Sequence, residues 1–197
     1  MTEESSGRMA SSAAAFILNR WSPRAFVPAD ITEVELLSLL EAGRWAPSAY
    51  NRQPWRFVYA RRATSDWDKF LSWLIPFNYS WAENASAIVY VVSQTGAVDP
   101  KSGEWKDNPT HAFDAGAASV LVQLQALHNG WATHPISGFD HAQAREGLGL
   151  PEDYALHAAI VIGRRGSKDL LPVGLSERES PSDRLPLKDV VMSGRFV

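Results

Sequence analysis

The sequence predicts an α+β fold, and three observations carry that expectation. Short apolar runs of strand character at residues 57–59, 87–92 and 156–163 alternate with stretches of helical periodicity, the longest of which spans 110–129. No internal repeat, low-complexity tract or interdomain linker divides the chain. With 45% hydrophobic and 21% charged residues, its 197 residues suffice for one sizeable core. The expected organisation is therefore a flexible tail over residues 1–12 and a single domain over 13–197.

Residues 10–19 have the spacing of a short amphipathic helix, which must end before Ser22-Pro23 because the residue preceding a proline is pushed out of the helical region. Arg20, Ser22 and Arg24 thus fall on a turn. Thr32 and Glu35 fit a capping box, and Val34, Leu36, Leu37, Leu39 and Leu40 supply an apolar face for a helix to about Arg44. Pro47 stops it. A short strand follows over 55–61. Residues 65–74 place Trp67, Phe70, Leu71 and Leu74 at helical spacing, with Pro76 as the break. Residues 87–92 read as a buried strand. Residues 94–109, punctuated by Gly96, Pro100, Gly103 and Pro109, read as a long loop. The helix over 110–129 ends at Gly130, and its small residues 115–119 permit close backbone approach, as in a packed centre or a subunit interface. Asp140 can cap a short helix to Gly147, and 156–163 is a second apolar strand. Beyond it, Leu185, Leu187, Val190, Val191 and Met192 form apolar islands that cannot build a core alone. They must lie against another surface.

Several functions are disfavoured at once. A net charge of -3 without a basic run argues against nucleic-acid or membrane-surface binding. The absence of cysteine removes disulfides, thiolate zinc sites and thiol nucleophiles, so any redox chemistry must come from a cofactor. His111, His128, His134, His141 and His157 show no metal-binding spacing, and no metal site is expected. No apolar stretch approaches the roughly 20 residues of a membrane span, which favours a cytoplasmic protein.

Three segments carry candidate chemistry. In residues 45–55 (WAPSAYNRQPW), Pro47, Ser48, Asn51 and Gln53 can present donors and acceptors to a flat heterocycle; the plainer alternative is a loop satisfying its own backbone. Arg20, Ser22 and Arg24 suit a phosphate or an anionic ring edge, or are ordinary surface groups. Arg184 and the Arg164-Arg165 pair are further cationic candidates. The aromatic set Trp67, Trp73, Phe77, Tyr79, Trp81 and Trp105 is either core packing or a lid that stacks a substrate.

Together with Pro135, Ile136, Ser137 and Gly138, these segments occur in an order that resembles the nitroreductase family of FMN-dependent oxidoreductases, over residues 13 to 197 or nearly so. The Pro-Ser-x-x-Asn-x-Gln-Pro-Trp pattern at Pro47, Ser48, Asn51, Gln53, Pro54 and Trp55 is its most specific part. The resemblance implies a central, mostly antiparallel sheet surrounded by helices, with a C-terminal arm exchanged in a homodimer and FMN at the subunit interface. It implies that Arg20 and Arg184 hold the FMN phosphate, beside Ser22. Arg24 would reach the N1/C2 carbonyl edge, and Asn78 would stand near the pyrimidine edge. Pro47, Ser48 and Asn51 would come from the second subunit, with Gln53 in the same motif. Pro135, Ile136, Ser137 and Gly138 would lie behind the ring, with main-chain N–H groups addressing N5. Arg24 and Gly138 are the catalytic candidates, since a guanidinium at N1/C2=O stabilises the charge that develops on two-electron reduction.

The implied activity takes hydride from NADH or NADPH and reduces a small nitroaromatic, quinone or conjugated carbonyl by a ping-pong cycle. Ala49 stands where many relatives have a second serine, Ser137 where some have an acid or glycine, and Trp81 near where some carry a lysine. Those departures bear on the acceptor more than on the cofactor. A same-fold reductive dehalogenase, and a flavin carrier or sensor without turnover, are the alternatives.

Overall fold

The computed structural model describes residues 12–196, so the expected tail lies outside the described residues except for Ser12. In chain order the elements are helix α1 (Ala15–Asn19), strand β1 (Phe26–Val27), α2 (Glu33–Arg44), β2 (Trp55–Arg61), α3 (Trp67–Ser72), α4 (Pro76–Ala82), β3 (Ala87–Gln94), β4 (Gly96–Val98), β5 (Trp105–Asp107), α5 (His111–His128), β6 (Ala132–Ile136), α6 (His141–Gly147), β7 (Tyr154–Arg165) and α7 (Val173–Ser176). The main sheet is antiparallel throughout and organised on β7. One edge of β7 pairs with β3, which in turn pairs with β2; the other edge is shared by β6 and β1.

The alternation of side chains along the central strands divides the interior into two cores. Ala87, Val89 and Val91 with Ile160 and Ile162 face α2 and α5, where they meet Leu36, Leu39, Leu40, Ala118 and Val122. Ile88 and Tyr90 with Ala159 and Val161 face the opposite way, onto Trp67, Phe70, Trp73, Trp81 and Phe139. The result is a sheet sandwiched between helices. A strand buried on both faces reads as a continuous apolar run, which is why β3 and β7 are legible in the sequence.

The capping box is present: Thr32 Oγ1 accepts from the Glu35 N–H, and the Glu35 carboxylate accepts from the Thr32 N–H at 2.8 Å. Of the expected apolar face of α2, Leu36, Leu39 and Leu40 are buried, whereas Val34 and Leu37 are exposed. Asp140 caps α6 through the Gln143 N–H. The helix does end ahead of Pro76, at Ser72, and Pro76 itself opens a further helix, α4, at its first position, where the missing N–H costs nothing. Within residues 94–109 a β4–β5 hairpin replaces the expected loop. Gly96 makes it possible: a Cβ there would lie 2.5 Å from the Trp105 ring. The C-terminal apolar residues Leu185, Leu187, Val190 and Val191 stay exposed in the single chain.

Candidate functional site

The turn after α1 is held against the sheet by β1, which pairs Phe26 with Arg165, and by the Gly166 N–H donating to the Ala25 carbonyl at 2.7 Å. Beyond α7 the chain returns to this turn. A cavity of about 320 Å³ lies between them, lined by Arg20, Trp21, Ser22, Arg24, His134, Arg178, Ser180, Ser182 and Arg184. Its inner wall, Arg20 to Arg24 with His134, is at least partly buried, and its outer wall, Arg178 to Arg184, is largely exposed. Four candidates drawn from the sequence, Arg20, Ser22, Arg24 and Arg184, are therefore brought to one place. Arg178, Ser180, Ser182 and His134 join them without having stood out in the sequence. A polar, proline-containing segment is all that marks the serines and Arg178, and nothing local distinguishes His134 from the other histidines.

Among the described residues, no carboxylate oxygen lies within 4.0 Å of the Arg24, Arg178 or Arg184 guanidinium. The Arg24 Nε is buried without a hydrogen-bond partner. Burial draws the Arg24 guanidinium below its usual range, Glu179 opposes that shift and Arg178 adds to it. Arg20 reaches Ser22 Oγ and Gln123 Oε1, each at 3.5 Å, and Arg184 Nη1 donates to Ser182 O, Ser182 Oγ and Asp183 O at 3.0 to 3.1 Å. A buried guanidinium N–H without an acceptor, beside serine hydroxyls and an excess of positive charge, suits a phosphate, whose oxygens only accept.

The loop between α2 and β2 is a separate site. Ser48 Oγ accepts from the Gln53 N–H at 3.0 Å and Gln53 Nε2 donates to the Asn51 carbonyl at 3.1 Å, so part of the motif does satisfy its own backbone. Yet Tyr50, Asn51 and Gln53 have φ of 53°, 54° and 48°. Left-handed conformations in non-glycine residues cost about 1 kcal/mol or more each and persist where surrounding structure imposes them. Asp114 of α5 contributes to that restraint by accepting from the Ala49 N–H at 3.3 Å. Pro47, Asn51 and Gln53 are exposed, and none of the motif lines the arginine cavity of the same chain.

Asn78 and Gly138 meet directly. The Gly138 carbonyl accepts from Asn78 Nδ2 at 2.9 Å and from the Ile75 N–H at 3.2 Å, and a Cβ on Gly138 would lie 2.4 Å from Asn78 Nδ2. Asn78 therefore braces the turn after β6. Among the described residues no hydrogen bond uses the Gly138 N–H. Pro135 and Ile136 pair with Ile160 and Ala159 of β7, and Ile136 is buried, so it offers a ligand its main chain alone; Ser137 is exposed. The aromatic set divides. Trp67, Trp73 and Trp81 are core residues, while Phe77, Tyr79 and Trp105 are 48%, 41% and 47% exposed and remain available as a cover. Trp81 packs on His134 at 4.7 Å between ring centroids. Among the described residues, no group of three or more His, Cys, Asp or Glu could hold a metal ion, and no helix is long and apolar enough to cross a membrane.

Residues 17–76 match the pattern of the nitroreductase family. A crystal structure of an oxidoreductase containing FMN is 41% identical to this chain, covers 100% of it and 99% of its own length, and superposes with a TM-score of 0.95. The NADH dehydrogenase of Thermus thermophilus is 29% identical over 89% of this chain and 92% of its own. The CLA biosynthesis enone reductase of Lactiplantibacillus plantarum is 26% identical over 78% of this chain and 86% of its own. Helices on both faces of an antiparallel sheet, with the candidate motifs at its ends, define an α+β protein of the nitroreductase-like fold. The chain belongs to the nitroreductase family.

Proposed function

We propose that this chain is an NAD(P)H-dependent FMN oxidoreductase that reduces a small nitroaromatic, quinone or conjugated carbonyl compound in a ping-pong cycle. The observation that carries the reading is the arginine cavity, with its buried, unpartnered Arg24 Nε and three serines. Arg20, Ser22 and Arg184, joined by Arg178, would hold the FMN phosphate. Arg24 would place a fixed positive charge at the N1/C2 carbonyl edge, and the uncommitted Gly138 N–H would face N5, braced by Asn78. Bound FMN would supply two-electron chemistry, accepting hydride from the nicotinamide and passing it to the acceptor. A preorganised guanidinium lowers the cost of the charge that appears in that exchange, because it need not reorient as water would. The names of two relatives, an NADH dehydrogenase and an enone reductase, support the donor and one acceptor class.

The site is incomplete in one chain, and a second copy completes it. Pro47, Ser48, Asn51 and Gln53 would reach the flavin of the partner, and the exposed C-terminal arm would cross onto it. Tyr50 in that loop is 94% exposed, and α5 exposes Phe113 and Val120 about Gly116, where an added Cβ would meet nothing within 4 Å. Such an apolar stripe is stabilised by burial against another chain.

Anaerobic titration of purified, FMN-loaded protein with NADH and then NADPH tests the reading. Bleaching of the flavin absorbance by either nucleotide, followed by recovery on adding a quinone, is expected. Protein that binds no FMN and gains no thermal stability from it would refute the assignment, and flavin left unbleached by both nucleotides would refute the donor.

A further inference from the structure

Glu179 sits beside a cluster of cations without pairing to any of them. Its Oε1 accepts from two consecutive main-chain N–H groups, Arg24 at 2.7 Å and Ala25 at 2.8 Å, and its Oε2 is buried with no partner. A carboxylate near an arginine ordinarily takes the guanidinium fork. Here it takes the backbone instead, and the Arg24 Nε–H is left uncommitted. Among the described residues, these two bonds are the hydrogen bonds that join residues 22–25 to residues 177–184. The outer wall of the cavity, with Arg178, Ser180, Ser182 and Arg184, is otherwise tied mainly to itself: Arg178 N–H to Leu175 O, and Arg184 to Ser182 and Asp183.

We propose that Glu179 is a positioning residue for the anion cavity: a clasp that, by gripping the Arg24 and Ala25 main chain, holds Arg178 and Arg184 on the same cavity as Arg20 and Arg24. The inference rests on the FMN reading and adds to it a sign opposite to simple electrostatics. By Coulomb's law alone, removing a negative charge from the neighbourhood of a phosphate strengthens binding. Under the clasp, removing the acceptor oxygen weakens binding, because the Arg24 and Ala25 N–H groups lose their partner and the arginines on 177–184 must be ordered by the ligand itself. Acceptor geometry, not charge, is then the property that counts. Glutamine at 179 keeps an oxygen at the same reach, whereas aspartate keeps the charge but withdraws it by one methylene.

The test compares wild type with Glu179→Gln, Glu179→Asp and Glu179→Ala by fluorescence titration with FMN and with riboflavin, which has the same ring and no phosphate. The expected order of FMN affinity is Glu close to Gln, then Asp, then Ala, with Ala weaker by about 10-fold or more, the scale of leaving main-chain N–H groups without an acceptor. Riboflavin affinity should stay level across the series, and hydrogen exchange over 177–184 should rise in the Asp and Ala proteins. FMN affinity that is unchanged or improved in the Asp and Ala proteins overturns the clasp while leaving the cofactor assignment intact. Equal losses for both flavins also overturn it, since a general structural defect does not distinguish them. If Glu179→Ala fails to fold, the Gln and Asp proteins decide: Asp binding FMN as well as Gln does is the adverse result. Wild type that binds neither flavin removes the FMN reading itself, and the clasp with it.

Discussion

The Nδ1 of His134 lies 3.0 Å from the carbonyl oxygen of Pro23, and because a carbonyl can only accept, the imidazole carries its proton there. This bond fixes the back of the turn that presents Ser22 and Arg24. The ring is buried against Trp81, and burial holds its pKa down at about 4, with the Pro23 bond opposing that shift and Arg24 and Arg20 adding to it.

A pH dependence of stability follows. Unfolded histidine takes its proton near pH 6.5, and native His134 does so near 4. The contribution of the neutral ring is therefore complete above pH 6.5 and is lost as pH falls from about 6.5 to 4, reaching about 3 kcal/mol. Urea melts of wild type and His134→Gln across that window should diverge, with wild type the steeper. Parallel curves would assign the acid sensitivity elsewhere.

Replacing Arg20 or Arg184 by alanine should weaken FMN binding by about 10- to 100-fold each, the range for removing a charge-assisted contact. Flavin content after extended dialysis measures this. Full retention in the double variant would take the phosphate out of this cavity.

Gly138→Ala should slow flavin reduction while sparing FMN affinity. The new Cβ must displace Asn78 Nδ2, 2.4 Å away, and Ile75 Cδ1, 2.9 Å away, moving the Gly138 N–H and leaving the arginine cavity alone. Stopped-flow reduction by the preferred nicotinamide, set beside an FMN titration, separates the two effects; an unaltered reduction rate would remove Gly138 from the chemistry.

Phe113→Glu places a charge on the exposed stripe of α5, where Phe113 is 81% exposed. On the proposed two-chain site, sedimentation should show dimer giving way to monomer, and flavin content should fall with it as the Pro47 to Gln53 loop is withdrawn. A monomeric variant that keeps its flavin would show that one chain suffices.

Thr32→Ala removes the cap of α2, with an expected loss of about 1 kcal/mol and a fall in Tm of about 2–4 °C. Because the box is remote from the cavity, FMN affinity should not change. A melting temperature equal to wild type would mean that the cap contributes nothing net.

Features that depend on neighbours in sequence are legible in it. Thr32 with Glu35, and Asp140 before α6, specify helix starts because their partners lie within one turn. The strands β3 and β7 announce themselves because both faces are buried and nearly every position is apolar. The β4–β5 hairpin does not, since glycine and proline in residues 94–109 mark turns without saying that the flanking residues pair. Pro76 is ambiguous for a similar reason: a proline that ends one helix and a proline that opens the next are locally identical.

The residue types in this chain decided by themselves that cysteine chemistry is absent, where the capped helices at Thr32 and Asp140 begin, and where the arginines, serines and polar loop offered as binding candidates fall in the chain. Tertiary structure decided which arginines line one cavity and added Arg178 to them. It set Arg178 and Arg184 against Arg20 and Arg24, put Glu179 on a backbone rather than on a guanidinium, and left the Pro47 to Gln53 loop away from the cavity of its own chain. Backbone caps and strand patterns are short-range, whereas a binding cavity is a property of surfaces whose meeting depends on how the whole sheet and its helices pack.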